Sequence, residues 1–366
     1  MAEEKKMSPF EKKLNDWLTY LTTVPFVDKY LFIHHLHIMT KAGLPLMSSL
    51  NILSQEIENK KLKKIIGEIK EQIESGKQLS EALIKYPKIF PMVYVSMIAA
   101  GETAGKMEEA LSQITNQMKK SHQLTSKVKG AMIYPAVIMV AMIGISFFVV
   151  FYILPKILVM FEEVKADLPM ATRVLIGITK FTQNYWWLML IVVVGTIAIF
   201  FRLLKMPKFK RVIHTINLKA PIFGKIIQKI NLARFTLTLS SLLSSTIPII
   251  EAAKICSEVV TNVIFRDNLL AASESLKKGE SLATILARSP QTFPPMVTEM
   301  IMVGEQTGEV EKMLAELAEY YNNEVDTIMN NFTAVIEPVI ILLLGLGVAG
   351  IAVAVIMPMY SLAQNV

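Results

Sequence analysis

Cysteine is almost missing from this chain. Cys256 is the only one in 366 residues, so no intramolecular disulfide can form, which fits large parts facing a reducing cytosol. The opening MAEEKKMSPFEKKL carries charges where a cleaved secretion signal needs an apolar core, so no such signal is expected. Strand-like alternation of apolar and polar residues is also lacking, which argues against a β architecture. No Ser/His/Asp set, paired acid/base carboxylates or metal-ligand spacing emerges. Nothing in the residues therefore points to an enzyme, a cofactor or a metal.

Charge is likewise missing from the middle of three long apolar runs, roughly 131–154, 186–204 and 333–357. Each has about the 20 residues that a helix needs to cross a hydrocarbon core ~30 Å thick. These runs raise the apolar content to 52% and the mean hydropathy to +0.44, too high for an ordinary soluble protein. Membrane spanning is the expectation for all three.

What the chain does contain is a copy of itself. Residues 90–105 read FPMVYVSMIAAGETAG and residues 293–308 read FPPMVTEMIMVGEQTG, a displacement of 203 positions from Phe90 to Phe293. The same displacement pairs Pro45 with Pro248, Gly76 with Gly279, Glu108 with Glu311, Pro135 with Pro338 and Pro155 with Pro358. A repeat of about 130 residues is far longer than a solenoid unit, so it reads as a duplicated domain.

Within the first copy, apolar residues at helical spacing are cut by breakers into six helices. They run from Asp28 to the Gly43-Leu44-Pro45 turn, from Leu46 to Ile57, from Leu62 to Ile73, and briefly from Leu79. A fifth covers Pro91 to Ala100 and is closed by Gly101, and a sixth starts near Gly105 and runs toward the first apolar stretch. The second copy repeats the plan from Asn231 to Asn331, with Thr246 where the first has Gly43. The expected architecture is an all-α polytopic membrane protein with two homologous cytoplasmic six-helix bundles and three transmembrane helices. In chain order this gives an amphipathic lead (1–27), the first bundle (28–130), a span (131–154) and an external loop (155–185). A second span (186–204), the second bundle (205–332), a third span (333–357) and a short external tail (358–366) follow.

Each copy is followed by a span leaving in the same direction. The unduplicated run 186–204 must therefore return the chain if both bundles are to share one side. Lys119, Lys120, Lys127 and Lys129 precede the first span, and Arg202, Lys205, Lys208, Lys210 and Arg211 follow the second. The loop sets Lys156, Lys165, Arg173 and Lys180 against Glu162, Glu163 and Asp167. By the positive-inside rule both bundles are cytoplasmic. The basic stretch from Arg202 to Arg211 is explained by the edge of a lipid surface, and no nucleic-acid partner is expected.

Gly101-Glu102-Thr103-Ala104-Gly105-Lys106-Met107 has the look of a phosphate loop, but its glycines are one residue too close and Met107 stands where a Mg²⁺-holding Ser or Thr belongs. The second copy also has Glu309 in place of Lys106, so a helix–helix turn is expected. Two readings of Glu102 and Glu305 stay open. They are carboxylates complementing a helix start at a bundle corner, or, with Thr103, Gly105 and Gly308, a contact surface for another cytoplasmic protein. His34, His35 and His37 lie close enough to suggest a metal, but Leu237, Thr238 and Ser240 replace them in the second copy. Glu337 sits at the edge of the third span and can reach the interface. In that span Gly345/Ala349 and Gly350/Ala354 are small-xxx-small pairs. With Gly347 they form a candidate face for packing on another span, in this subunit or its neighbour.

Taken in this order, the sequence resembles the GspF/PilC family, the polytopic inner-membrane platform proteins of type II secretion systems and type IV pili. The duplication, Gly43-Leu44-Pro45, Phe90-Pro91 and Phe293-Pro294 carry the resemblance. So do the Gly-Glu-x-x-Gly pairs at 101–105 and 304–308 and the Tyr134-Pro135 and Glu337-Pro338 span entries. It implies a non-enzymatic role without cofactors in the bacterial inner membrane, coupling a cytoplasmic hexameric ATPase to pilin or pseudopilin extraction and filament assembly. The implied partners are that ATPase, the pilins or pseudopilins, other inner-membrane assembly proteins, membrane lipid, and further copies of the chain in a homo-oligomer. The competing class is a small membrane transporter or channel subunit. Mid-membrane polar groups would mark it, and these spans offer almost none.

Overall fold

A computed structural model describes residues 23–153, 155, 170–221 and 223–364, and every regular element among the described residues is helical. The first copy contains α1 (Phe26–Lys41), α2 (Leu46–Glu56), α3 (Lys60–Glu74), α4 (Leu79–Leu83), α5 (Met92–Ala104) and α6 (Met107–Phe148). A π-helical turn at Val149–Ile153 follows α6. Next come α7 (Met170–Leu204) and α8 (Pro207–Lys219). The second copy then repeats the six as α9 (Phe223–Ser244), α10 (Ile249–Val259), α11 (Val263–Leu276), α12 (Leu282–Ala287), α13 (Pro295–Thr307) and α14 (Val310–Gln364).

Local chemistry accounts for the individual helices. In α3, Leu62, Ile65, Ile66 and Ile69 fall on one buried face, while Lys60, Lys63 and Lys64 are exposed. Its start is capped by Asn59, whose side-chain oxygen accepts the Lys61 and Leu62 N–H groups at 3.1 and 3.0 Å. Asn262, its counterpart in the second copy, caps α11 by accepting the Ile264 N–H at 2.8 Å. The α1–α2 turn needs a left-handed residue, and Gly43 supplies it with φ +80°. The equivalent turn of the second copy forces Thr246 to φ +61°, an unfavourable conformation for a β-branched residue.

The cores are homologous down to their aromatics. Phe32 and Phe90 lie with ring centroids 5.8 Å apart, and their counterparts Phe235 and Phe293 lie 5.3 Å apart. Phe265, where the first copy has Leu62, adds a third ring 5.3 Å from Phe293. All five rings are almost wholly buried, and each such burial stabilises by roughly 1.5–3 kcal/mol.

The two bundles are not separate bodies. Among the described residues, 23–124 and Ala220–Asn323 form one compact unit, in which α5 of the first copy packs on α9 and α10 of the second. A second unit comprises Thr125–Lys219 and Glu324–Val366. It includes α8, whose residues are expected from sequence in the second bundle. Among the described residues, three helices are long and apolar enough to cross a membrane, over Met107–Ile153, Asn184–Leu204 and Val310–Gly350.

Three local expectations differ from the structure. Gly101 does not close α5. The helix continues to Ala104, and Gly105 ends it in the left-handed region (φ +67°), as Gly308 (φ +76°) ends α13. Residues expected in the outer loop at 155–185 include the first part of α7, helical from Met170 and bent at Tyr185. There Val174, Leu175, Ile178 and Phe181 repeat at helical spacing, which carries the helix into the expected loop. Likewise α14 continues through most of the expected tail, to Gln364. Glu162, Glu163 and Asp167 of the loop, and the lead as far as residue 22, lie outside the described residues.

Candidate functional site

The Gly-Glu-x-x-Gly motifs build the same device twice. Glu102 lies near the C-terminal end of α5, where its own helix dipole disfavours a negative charge. Its carboxylate instead reaches the start of α4. Oε1 accepts the Leu79 N–H at 2.6 Å, and Oε2 accepts the Ser80 N–H at 3.1 Å and the Ser80 hydroxyl. The first N–H groups of a helix have no partner inside it, and Gln78 provides α4 with no side-chain cap. Glu305 does the same for α12, accepting Leu282 N–H at 2.6 Å and Ala283 N–H at 3.2 Å. Charge-assisted bonds of this kind are about twice as strong as neutral ones. The bundle-corner geometry is therefore present, and the helix starts it serves are those of α4 and α12.

The two glycines of each motif have separate tasks. A Cβ on Gly101 would lie 2.5 Å from the Ala110 Cβ, and one on Gly304 would lie 2.8 Å from the Val310 Cα. Glycine lets the chain fold back on itself there, while Gly105 and Gly308 provide the left-handed turn. Both glutamates are half-buried, whereas Thr103, Gly105 and Gly308 are exposed along the outer rim. The backbone of 101–104 is helical, and Lys106 pairs with Glu109 at 3.1 Å. No phosphate cradle forms.

A second feature was not anticipated from sequence: a polar seam joining the copies. Gln113 and Gln117, one turn apart on α6, face α9. Gln117 Nε2 donates to Thr238 Oγ1 at 3.1 Å and its Oε1 accepts the Ser241 hydroxyl at 2.8 Å. Gln113 Nε2 donates to Ser244 Oγ at 3.2 Å, and its Oε1 accepts the Ser245 hydroxyl. The available signal was two glutamines flanking the apolar stripe of Leu111, Ile114 and Met118. Beside the seam lies a cleft of about 890 Å³, lined by Pro91, Tyr94 and Gln117 from the first copy and by Pro248, Lys254 and Glu258 from the second. Burial pushes the Tyr94 hydroxyl up to about 12, so it stays protonated.

His34 stacks on Tyr30 with centroids 5.5 Å apart, and His35 Nδ1 lies 3.7 Å from a Glu56 oxygen. Among the described residues no group of three His, Cys, Asp or Glu side chains could hold a metal. Cys256 is fully buried in α10, and burial pushes its thiol far above the usual range, leaving an inert thiol. Lys127 of α6 pairs with Asp326 of α14, tying together the two helices that lead into the first and third apolar stretches. In the third stretch, Cβ atoms on Gly345, Gly347 or Gly350 would meet nothing within 4 Å, and Ala349 is exposed. The side chain of Ala354 lies outside the described residues.

Residues 32–155 and 235–358, intervals again 203 positions apart, each match the family described as Type II secretion system (T2SS), protein F. The chain is similar to the type IV pilus assembly protein PilC of Myxococcus xanthus, 32% identical over 336 residues, covering 92% of this chain and 80% of that protein. PilC of Pseudomonas aeruginosa is 33% identical over 342 residues, covering 93% and 91%. The type II secretion system protein F of the same organism is 29% identical over 349 residues, covering 95% and 86%. With one domain matched twice and each copy running into a helix of membrane length, the chain belongs to the type II secretion system protein F family.

Proposed function

We propose that this chain is the inner-membrane platform of a filament-assembly machine, a type IV pilus or a type II secretion system. In this reading it couples a cytoplasmic hexameric ATPase to the extraction of pilin or pseudopilin subunits. The observation that carries it is the family domain matched twice, in a chain similar along most of its length to proteins named for those two machines.

The structure offers physical support. Two copies joined by the Gln113 and Gln117 seam belong on one side of a bilayer, and the unduplicated apolar stretch Asn184–Leu204 has the length to bring the chain back. The lysines and arginines flanking the first two apolar stretches favour the cytoplasmic side for both copies. The role is mechanical rather than enzymatic, and α6 (Met107–Phe148) holds residues of both the bundle and the first apolar stretch in a single helix. The exposed rim of Thr103, Gly105 and Gly308, held in place by Glu102 and Glu305, is the contact surface for the ATPase. The small-residue face at Gly345, Gly347, Ala349, Gly350 and Ala354 packs on a pilin helix, another inner-membrane assembly protein or a second platform chain.

Affinity purification of the full chain from its own membranes tests this. A hexameric ATPase and a pilin-like subunit should travel with it, and Thr103→Trp should reduce ATPase recovery without lowering thermal stability. Solute flux in proteoliposomes, with neither protein recovered, would replace the platform reading with a transporter.

A further inference from the structure

The seam between the copies uses different surfaces on its two sides. The first copy contributes α5 and α6, and the second contributes α9 and α10. Because the copies are homologous, each carries both kinds of surface. One of each kind is left over: α1 and α2 on the first copy, α13 and α14 on the second.

These leftover faces are exposed where their counterparts are covered. Gln117 is 3% exposed in the seam, but its counterpart Tyr320 is 41% exposed. Ile255 is 4% exposed, and its counterpart Ile52 is 38%. Ser96 is buried, and Glu299 in the same place on α13 is exposed. Ile38 on α1 and Met302 and Val303 on α13 are exposed large apolar residues on these faces. Scattered exposed apolar residues are ordinary, but apolar residues gathered on two faces homologous to an existing interface are not.

Translating the seam by the repeat gives its contacts side-chain identities. Gln113 on Ser244 becomes Glu316 on Lys41, an opposite-charge pair. Gln117 on Thr238 and Ser241 becomes Tyr320 on His35 and Ile38, an aromatic ring over an imidazole and an aliphatic side chain. The leftover faces are thus complementary to each other in charge and in polarity. Within one chain Lys41, Ile38, Glu316 and Tyr320 are all exposed.

We propose that the internal seam is repeated between chains: the α13–α14 face of one protomer docks on the α1–α2 face of the next, with Glu316 meeting Lys41 and Tyr320 meeting Ile38. The contact is heterologous, head to tail, so it closes as a ring or continues as an open row and does not form a two-fold dimer. The occupant is a second copy of this chain, because the chain already contains the matching surface at each end. This inference does not depend on the platform reading.

Disulfide trapping tests it in the full-length protein in native membranes, with Cys256→Ala as background. Two differently tagged chains, one K41C and one E316C, are co-expressed and oxidised. The expected product is a mixed-tag disulfide dimer, at least about tenfold more abundant than either same-site dimer, given the cost of a mismatched interface. The K41C/E316C double variant should give a ladder of oligomers. Separately, Lys41→Glu should lower co-capture of tagged chains by about tenfold through like-charge repulsion, with Glu316→Lys restoring it. Same-site dimers predominating would mean a two-fold contact and overturn the proposal. So would a disulfide closing within one chain, which would mean the faces are covered internally, and so would the lack of any cross-link.

Discussion

The Glu102 carboxylate and the Leu79 backbone N–H, 23 positions apart in the chain, meet at 2.6 Å. Glu305 and Leu282 meet at the same distance in the second copy. A helix of only five residues, α4, thus takes its cap from a different helix. That contact fixes the short helix, the rim beside it and the turn into α6 as one rigid corner.

Replacing Glu102 by Ala leaves the Leu79 and Ser80 N–H groups without that acceptor in a half-buried place. The expected cost is about 1–3 kcal/mol. Thermal unfolding of the purified chain should show it, with Glu102→Gln intermediate because the amide keeps one acceptor oxygen. An unchanged melting temperature in Glu102→Ala would show that the carboxylate is not needed for folding.

Gly101→Ala should destabilise through overpacking, by roughly 1–3 kcal/mol, because its Cβ collides with the Ala110 Cβ. Adding Ala110→Gly removes the nearest obstacle and should restore most of the loss. Gly304→Ala collides first with the backbone at Val310, so no side-chain change should rescue it. Equal rescue in both copies would contradict this difference.

Thr246 holds a left-handed conformation that glycine occupies in the first copy. Thr246→Gly should stabilise by about 0.5–1 kcal/mol, the relief of left-handed strain less the extra freedom glycine brings to the unfolded chain. Gly43→Thr should destabilise. The comparison is a pair of denaturation curves, and a loss of stability in Thr246→Gly would refute the strain.

Burial, with His35 and His37 close by, holds the His34 imidazole below its usual 6.5. The unfolded chain therefore takes up the proton first as pH falls. Stability is full above about 6.5 and is lost as pH drops from there toward the lower folded value. Melting temperatures at pH 7.5 and 5.5 should differ in that direction, and His34→Leu should shrink the difference. An unaltered difference would assign it to other groups.

Single cysteines at Gln78 and Gln291, both exposed, in a Cys256→Ala background should react with an impermeant thiol reagent from the same side of the membrane. The two copies share one compact unit, so labelling from opposite sides would be incompatible with the seam.

Several features were legible before any coordinates because their causes are local or repeat at a fixed interval. Leu62, Ile65, Ile66 and Ile69 announce α3 by their spacing, and the uncharged runs announce the three membrane-length helices. The displacement from Phe90 to Phe293 announces the duplication and, with Gly43-Leu44-Pro45, the family. Helix ends were less legible. Gly101 and Gly105 are both glycines near a helix end, and only the backbone shows that the first is a close-approach residue and the second the stop.

By itself, then, the amino-acid order determined that this is a duplicated all-helical chain with three apolar stretches long enough to cross a membrane. Helical period, breakers and hydrophobic length act within a few residues of one another. Only the tertiary structure decided that Glu102 caps α4, that Gly101 rests on Ala110, and that Gln117 of one copy bonds Thr238 of the other. Periodicity says which face of a helix is buried but not which element buries it. These contacts depend on how helices cross after distant parts of the chain have come together.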